Sequence, residues 1–105
     1  MIDAGADPNL ADRAGYSPLH FAAQGQHAAV AKALLSAGAI VDAADRFGNA
    51  PLWVALFNVG DGDGEVITVL LGAGADPDKE DDSGKSPRWL AETVDNYDLK
   101  RFIRR

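Results

Sequence analysis

Residues 12–20 read Asp12-Arg13-Ala14-Gly15-Tyr16-Ser17-Pro18-Leu19-His20, and the phrase returns 33 residues later as Asp45-Arg46-Phe47-Gly48-Asn49-Ala50-Pro51-Leu52-Trp53. A weaker copy, Asp81-Asp82-Ser83-Gly84-Lys85-Ser86-Pro87-Arg88-Trp89, follows 36 residues after that. A second phrase recurs between them, as Ala4-Gly5-Ala6-Asp7, Ala37-Gly38-Ala39 and Ala73-Gly74-Ala75-Asp76. Repetition near this length builds stacked units that bury their apolar faces against one another, not a globule around a catalytic pocket.

Within one unit the Asp-x-x-Gly segment is a turn, because the carboxylate accepts local backbone bonds and Gly supplies a positive φ. Ser17-Pro18 then opens a helix, with Ser as N-cap and Pro at its first position. Leu19, Ala22 and Ala23 give that helix a narrow, small-residue face for close packing. A break at Gly25-Gln26 precedes a second helix with Val30, Leu34 and Leu35 at core spacing. Gly38 ends it, and the chain returns to the next turn.

This phrase resembles the ankyrin repeat: Asp-x-x-Gly-x-Ser-Pro-Leu-His-Phe-Ala-Ala, then Leu34-Leu35-x-x-Gly38-Ala39, over nearly the whole chain. The resemblance implies an all-α solenoid of stacked helix-turn-helix units with β-turn tips. Residues 1–11 then end a partial repeat, 12–44 form one repeat, 45–80 a second with an insert at 59–64, and 81–105 a C-terminal cap. Met1-Ile2 fall in register with Leu34-Leu35, and Leu99, Phe102 and Ile103 with Val30, Ala33 and Leu34. Two departures stand out. The family usually places Gly directly before the His that here follows Gly25-Gln26, and Arg88 stands where Leu19 and Leu52 point into the core.

The chain has 105 residues, 47% of them hydrophobic, which suits one folded domain. It has no cysteine, so disulfides and thiolate metal sites are excluded. Neither a signal peptide nor an apolar run of the ~18 residues a membrane span needs is present, and a cytoplasmic protein is expected. The net charge is −6, and residues 1–99 alone hold 6 basic and 16 acidic side chains. Such a body repels nucleic acid and membrane surfaces and favours basic partners.

No residue set promises catalysis. His20 and His27 lie where ankyrin repeats carry structural His, and neither has a carboxylate or Ser nucleophile at relay spacing. Gly60-Asp61-Gly62-Asp63-Gly64-Glu65 alternates carboxylates but lacks the twelve-residue calcium spacing. It reads as an acidic connection in which Asp63 or Gly64 caps a helix over 65–71, and as an inserted loop it suits a partner contact. No metal or cofactor is expected.

Protein binding is the expected function, with no enzymatic activity. The contact residues are those of the tips, Arg13, Tyr16, Arg46, Phe47 and Asn49, and of the first helices, Phe21, Gln24, Phe57 and Asn58, together with Asp61 and Asp63 of the insert. Phe47 is the aromatic that a turn tip cannot bury. Trp53 and Trp89 share the His20 position and read first as packing between layers. Phe21, Val54 and Phe57 read equally as core and as contact surface. Gly48-Asn49-Ala50-Pro51-Leu52-Trp53, Phe57-Asn58 with its Gly/Asp insert, Ser86-Pro87 and Asn96-Tyr97-Asp98 are also similar to small bacterial ankyrin proteins that serve beside toxin genes as immunity proteins. That resemblance implies a basic toxin domain as partner. An adaptor, or a fragment of a longer ankyrin array, is the alternative. The open face around Val30, Ala33 and Leu34 suggests self-association through the N-terminal end.

Overall fold

The computed structural model describes residues 7–95 and 97–103. Five helices follow in order: α1 Pro18–Gln24, α2 Ala28–Ser36, α3 Pro51–Val59, α4 Glu65–Gly72 and α5 Pro87–Thr93, then a 3-10 turn at Leu99–Arg101. No strand occurs among the described residues, as an all-α solenoid requires. The calls on Met1-Ile2, Asn96 and the last two arginines lie outside the described residues.

Each turn is built the same way. Asp12 Oδ1 accepts the amides of Ala14 and Tyr16, both at 2.9 Å. Asp45 takes those of Phe47 and Asn49, and Asp81 those of Ser83 and Lys85. Gly15 and Gly48 are required twice over. Their φ values are +74° and +83°, and an added Cβ would meet the backbone of Arg46 and Asp82 in the next turn. That close approach lets neighbouring tips bond: Arg46 N–H donates to Ala14 O at 2.8 Å, and Asp82 N–H to Phe47 O at 3.0 Å.

Ser17 and Ser86 cap α1 and α5 through Oγ, and Pro18, Pro51 and Pro87 occupy first helical positions. Gly38 and Gly74, at φ +100° and +98°, follow α2 and α4. They let the Ala39 and Ala75 amides reach back to Leu34 O and Leu70 O at 3.0 Å, closing the helix ends. The helices form two layers. α1 packs on α3 and α3 on α5, while α2 packs on α4 behind them. Leu19, Leu52, Leu56, Ile67 and Leu70 are fully buried between the layers.

Four sequence expectations change in detail. Val30 is 40% exposed, whereas Leu34 is buried, because no described helix covers the far side of α2. The helix after the insert runs one residue further, to Gly72. Ile103 is buried like Leu34 in the same register, while Leu99 is buried and Phe102 half-buried where Val30 and Ala33 are exposed; all three sit on a 3-10 turn and its exit where the earlier units have an α-helix. Arg88 stays half-buried by donating its Nε and Nη2 to Asp78 at 2.6 and 3.2 Å.

Between units the coupling is polar as well as apolar. Gln26 holds the positive φ, +60°, where the family pattern has Gly. Its side-chain amide donates to Ala23 O at 3.1 Å and across to Ala55 O at 3.0 Å in α3. The departure from the repeat pattern thereby becomes a bond between repeats.

Candidate protein-docking face

The tips and the exposed side of α1, α3 and α5 form one face. Asn49 lies at its tip end and the insert at its far end, separated by the nine residues of α3, or ~13 Å of helix. Phe47 is 59% exposed at its tip, with the Arg46 guanidinium 5.3 Å from its ring centroid. Arg13 and Arg46 are exposed, and Tyr16 and Asn49 are half-buried. The Tyr16 ring stacks on His20 at 4.8 Å and meets Phe21 edge-on at 4.7 Å. Burial first, and the carboxylates of Asp45 and Asp12 after it, hold the Tyr16 hydroxyl above its usual pKa of 10.0, so it stays neutral.

Along the helices Phe21 is 52% and Phe57 69% exposed, while Val54, in register with Phe21, is 5% exposed. Val54 sits on α3, which has α1 on one side and α5 on the other. Phe21 has a described neighbouring helix on one side only. Gln24 is exposed, and Asn58 donates its side-chain amide to Val54 O at 2.8 Å. Trp53 and Trp89 stack with centroids 6.1 Å apart and planes 6° from parallel, the packing between successive repeat units that their register implies. Lys85 Nζ lies 4.8 Å from the Trp89 centroid.

His20 belongs to the scaffold of this face. It is fully buried, its Nδ1 facing Ser17 N–H at 3.1 Å and Ser17 Oγ at 2.8 Å, and its Nε2 facing Asn49 O at 2.8 Å. A carbonyl needs a donor, so Nε2 carries the proton and Nδ1 accepts. Burial is the main cause that lowers its pKa below 6.5; the Asn49 bond and the carboxylates of Asp45 and Asp12 act the other way. The ring is thereby committed to joining the first two units. His27 is exposed, and its ring lies against Gly25.

The insert is seated on the C-terminal turn. Arg101 Nη2 donates to Gly62 O at 2.9 Å, Tyr97 lies beside Gly60, and Phe102 fills the space where a side chain at residue 64 would stand. Gly64, at φ +71°, is the N-cap of α4, and Asp63 Oδ1 accepts the Glu65 amide at 3.1 Å. Asp61 and Asp63 remain exposed. The sequence reading missed this seat, although three glycines in five residues signalled a close approach of other groups. Among the described residues no three His, Cys, Asp or Glu side chains group as metal ligands would, and no helix is long and apolar enough to cross a membrane.

Comparison with known proteins agrees with this geometry. The family described as ankyrin repeats (3 copies) matches residues 1–97, and the chain belongs to that family. Ankyrin repeats generally serve as a non-catalytic fold for protein interaction. Ankyrin repeat-containing protein P1E11.10 of Schizosaccharomyces pombe is 38% identical over 53 residues, 50% of this chain and 26% of that protein. Protein fem-1 homolog A-like of Mus musculus is 47% identical over 47 residues, and protein fem-1 homolog A of Homo sapiens 45% over the same length. Those two matches cover 45% of this chain and 7% of each relative, so the likeness is one of repeat units and not of whole proteins.

Proposed function

We propose that this chain is a non-catalytic module that holds a partner protein against the face made by the turn tips and by α1, α3 and α5. The observation that carries the reading is the exposure of Phe47, Phe21 and Phe57 along that one face. Large rings left in water on a folded chain are the usual anchors of an interface. Arg13, Tyr16, Gln24, Arg46, Asn49 and Asn58 supply its polar surroundings, and Asp61 and Asp63 its acidic far end. The excess of carboxylates supports a partner with a basic region opposite that end. A toxin-immunity role is the narrowest form of this reading. The relatives named above are eukaryotic ankyrin proteins and lend it no support; it rests on the motif resemblance and the charge alone.

The test is affinity capture with the wild-type chain and with Phe47→Ala and Phe57→Ala, followed by titration of the protein recovered. One specific protein should be retained by the wild type, and each variant should weaken it by ~2 kcal/mol if the ring is a hot spot. A partner held equally by both variants would place the interface elsewhere.

A further inference from the structure

Both tryptophans of the chain stand on the docking face, each at the third position of its helix, α3 or α5. They lean together as one platform, with centroids 6.1 Å apart and planes 6° from parallel. Trp89 is 39% exposed and Trp53 half-buried. Neither indole N–H has an acceptor among the described residues. In the first unit Phe21 is 52% exposed, with the Tyr16 ring edge-on to it. The face thus carries two aromatic platforms side by side across α1, α3 and α5. Hydrogen-bond donors accompany the rings. Tyr16, Asn49 and Lys85 occupy one register position in the three units and offer a hydroxyl, an amide and an ammonium group. Charge at the tips nearly cancels: Asp12, Asp45, Asp81 and the exposed Asp82 stand beside Arg13, Arg46 and Lys85. The local field therefore selects neither an acidic nor a basic occupant, and the selection falls to the rings and donors.

We infer that these platforms receive a proline-rich segment of the partner protein in the polyproline II conformation, laid across the helices with a proline on each platform. This rests on the reading of the face as a docking surface and adds the conformation of what docks there. Proline has no N–H, and polyproline II makes no internal hydrogen bonds, so the segment presents carbonyl acceptors with no competing donors. Those carbonyls complement the indole, phenol and amide donors, and the flat pyrrolidine rings pack on aromatic faces. The spacing agrees. Packed helices stand ~8–10 Å apart, and polyproline II advances ~9 Å in each three-residue turn, so every third residue meets a new unit. A β-strand returns to the same face every ~7 Å and interleaves N–H groups with its acceptors. An α-helix uses its carbonyls internally and leaves none for the indoles.

The probe is decaproline with both termini blocked, titrated into the chain and followed by tryptophan fluorescence and indole NMR shifts. Trp53 and Trp89 are the only tryptophans, so the emission reports this platform alone. A glycine-serine peptide of equal length and an oligothymidylate serve as comparisons. Decaproline should bind saturably and shift both indole signals, and added salt should leave its affinity unchanged. Trp89→Phe keeps a ring against Trp53 but removes the donor, and should weaken binding ~3–10-fold, as loss of one hydrogen bond does. Trp89→Ala removes ring and donor together and should weaken it further. The inference is overturned if decaproline shifts neither indole, if Trp89→Phe binds it as tightly as the wild type, if salt weakens the binding, or if either comparison binds as tightly. Any of these, with partner capture still dependent on Phe47 and Phe57, would remove the polyproline occupant and leave the docking face standing. Loss of that dependence as well would remove both.

Discussion

His20→Ala tests how strongly the first two units are joined. The ring is fully buried, and its removal orphans the Ser17 amide on one side and the Asn49 carbonyl on the other. Each buried group left without a partner costs ~1–3 kcal/mol, and the stacking on Tyr16 is lost as well. A loss of ~3–5 kcal/mol is expected, a large part of the ~5–15 kcal/mol that holds a domain of this size. His20→Gln should cost less, since a side-chain amide can still accept from Ser17 and donate to Asn49. The two variants also separate packing from titration. The folded pKa of His20 lies below 6.5, so its neutral form contributes stability fully above the unfolded value of about 6.5. That contribution is lost as pH falls through the lowered folded value. Urea unfolding at pH 7.5 and pH 5 reads both effects. The wild type's advantage over His20→Gln should shrink at the lower pH. An advantage that stays constant or grows would refute the neutral, Nε2-protonated ring, and a His20→Ala midpoint equal to wild type would refute its structural role.

Other expectations follow from the same structure. Asp42→Asn should raise the melting temperature at neutral pH by an amount worth less than ~1 kcal/mol. Burial first, and the charge of Asp76 in the same direction, hold the Asp42 carboxyl above 3.8, so its ionised form opposes folding. The gain should vanish as pH falls below the raised value, and an unchanged melt at pH 7 would count against it. Leu70→Ala should cost ~2–5 kcal/mol, lowering the urea midpoint of a single transition with an unchanged slope. Gly64→Ala should destabilise through its φ of +71° and its contact with Phe102. The loss should be smaller in a Phe102→Ala background, and equal losses in a double-mutant cycle would dismiss the contact. Sedimentation at high concentration should show weak self-association that Val30→Glu reduces; a monomer throughout would argue against an adhesive open face.

Much of the fold is written locally. The Asp-x-x-Gly turns, the Ser-Pro helix starts and the glycines after α2 and α4 each fix backbone angles within a few residues, so the chain spells them out. Leu34, Leu52 and Leu70 follow from periodicity for the same reason. What stayed hidden depends on partners distant in sequence. The positive φ of Gln26 looks like a flaw until its amide reaches Ala55 O, 29 residues away. Arg88 looks misplaced until it meets Asp78. Phe21 and Val54 occupy the same register, and only the number of neighbouring helices decides which one is exposed. The repeat aligns Arg13 with Arg46 and Tyr16 with Asn49, so that part of the candidate face can be read from the sequence, whereas the inward turn of the Asp carboxylates onto backbone amides depends on geometry.

The seat of the insert has a consequence for synthesis. Gly60, Gly62 and Gly64 emerge from the ribosome before Tyr97, Arg101 and Phe102, the groups they lie against. Gly62 and Arg101 are 39 residues apart, so at ~5–20 residues added per second the loop waits ~2–8 s for its support. During that interval the start of α4 is held by the local bond from the Glu65 amide to Asp63, without the Phe102 ring against Gly64, and stands more exposed than in the finished chain. Slow codons between Gly64 and Tyr97 would lengthen that exposure without altering a single residue of the finished protein.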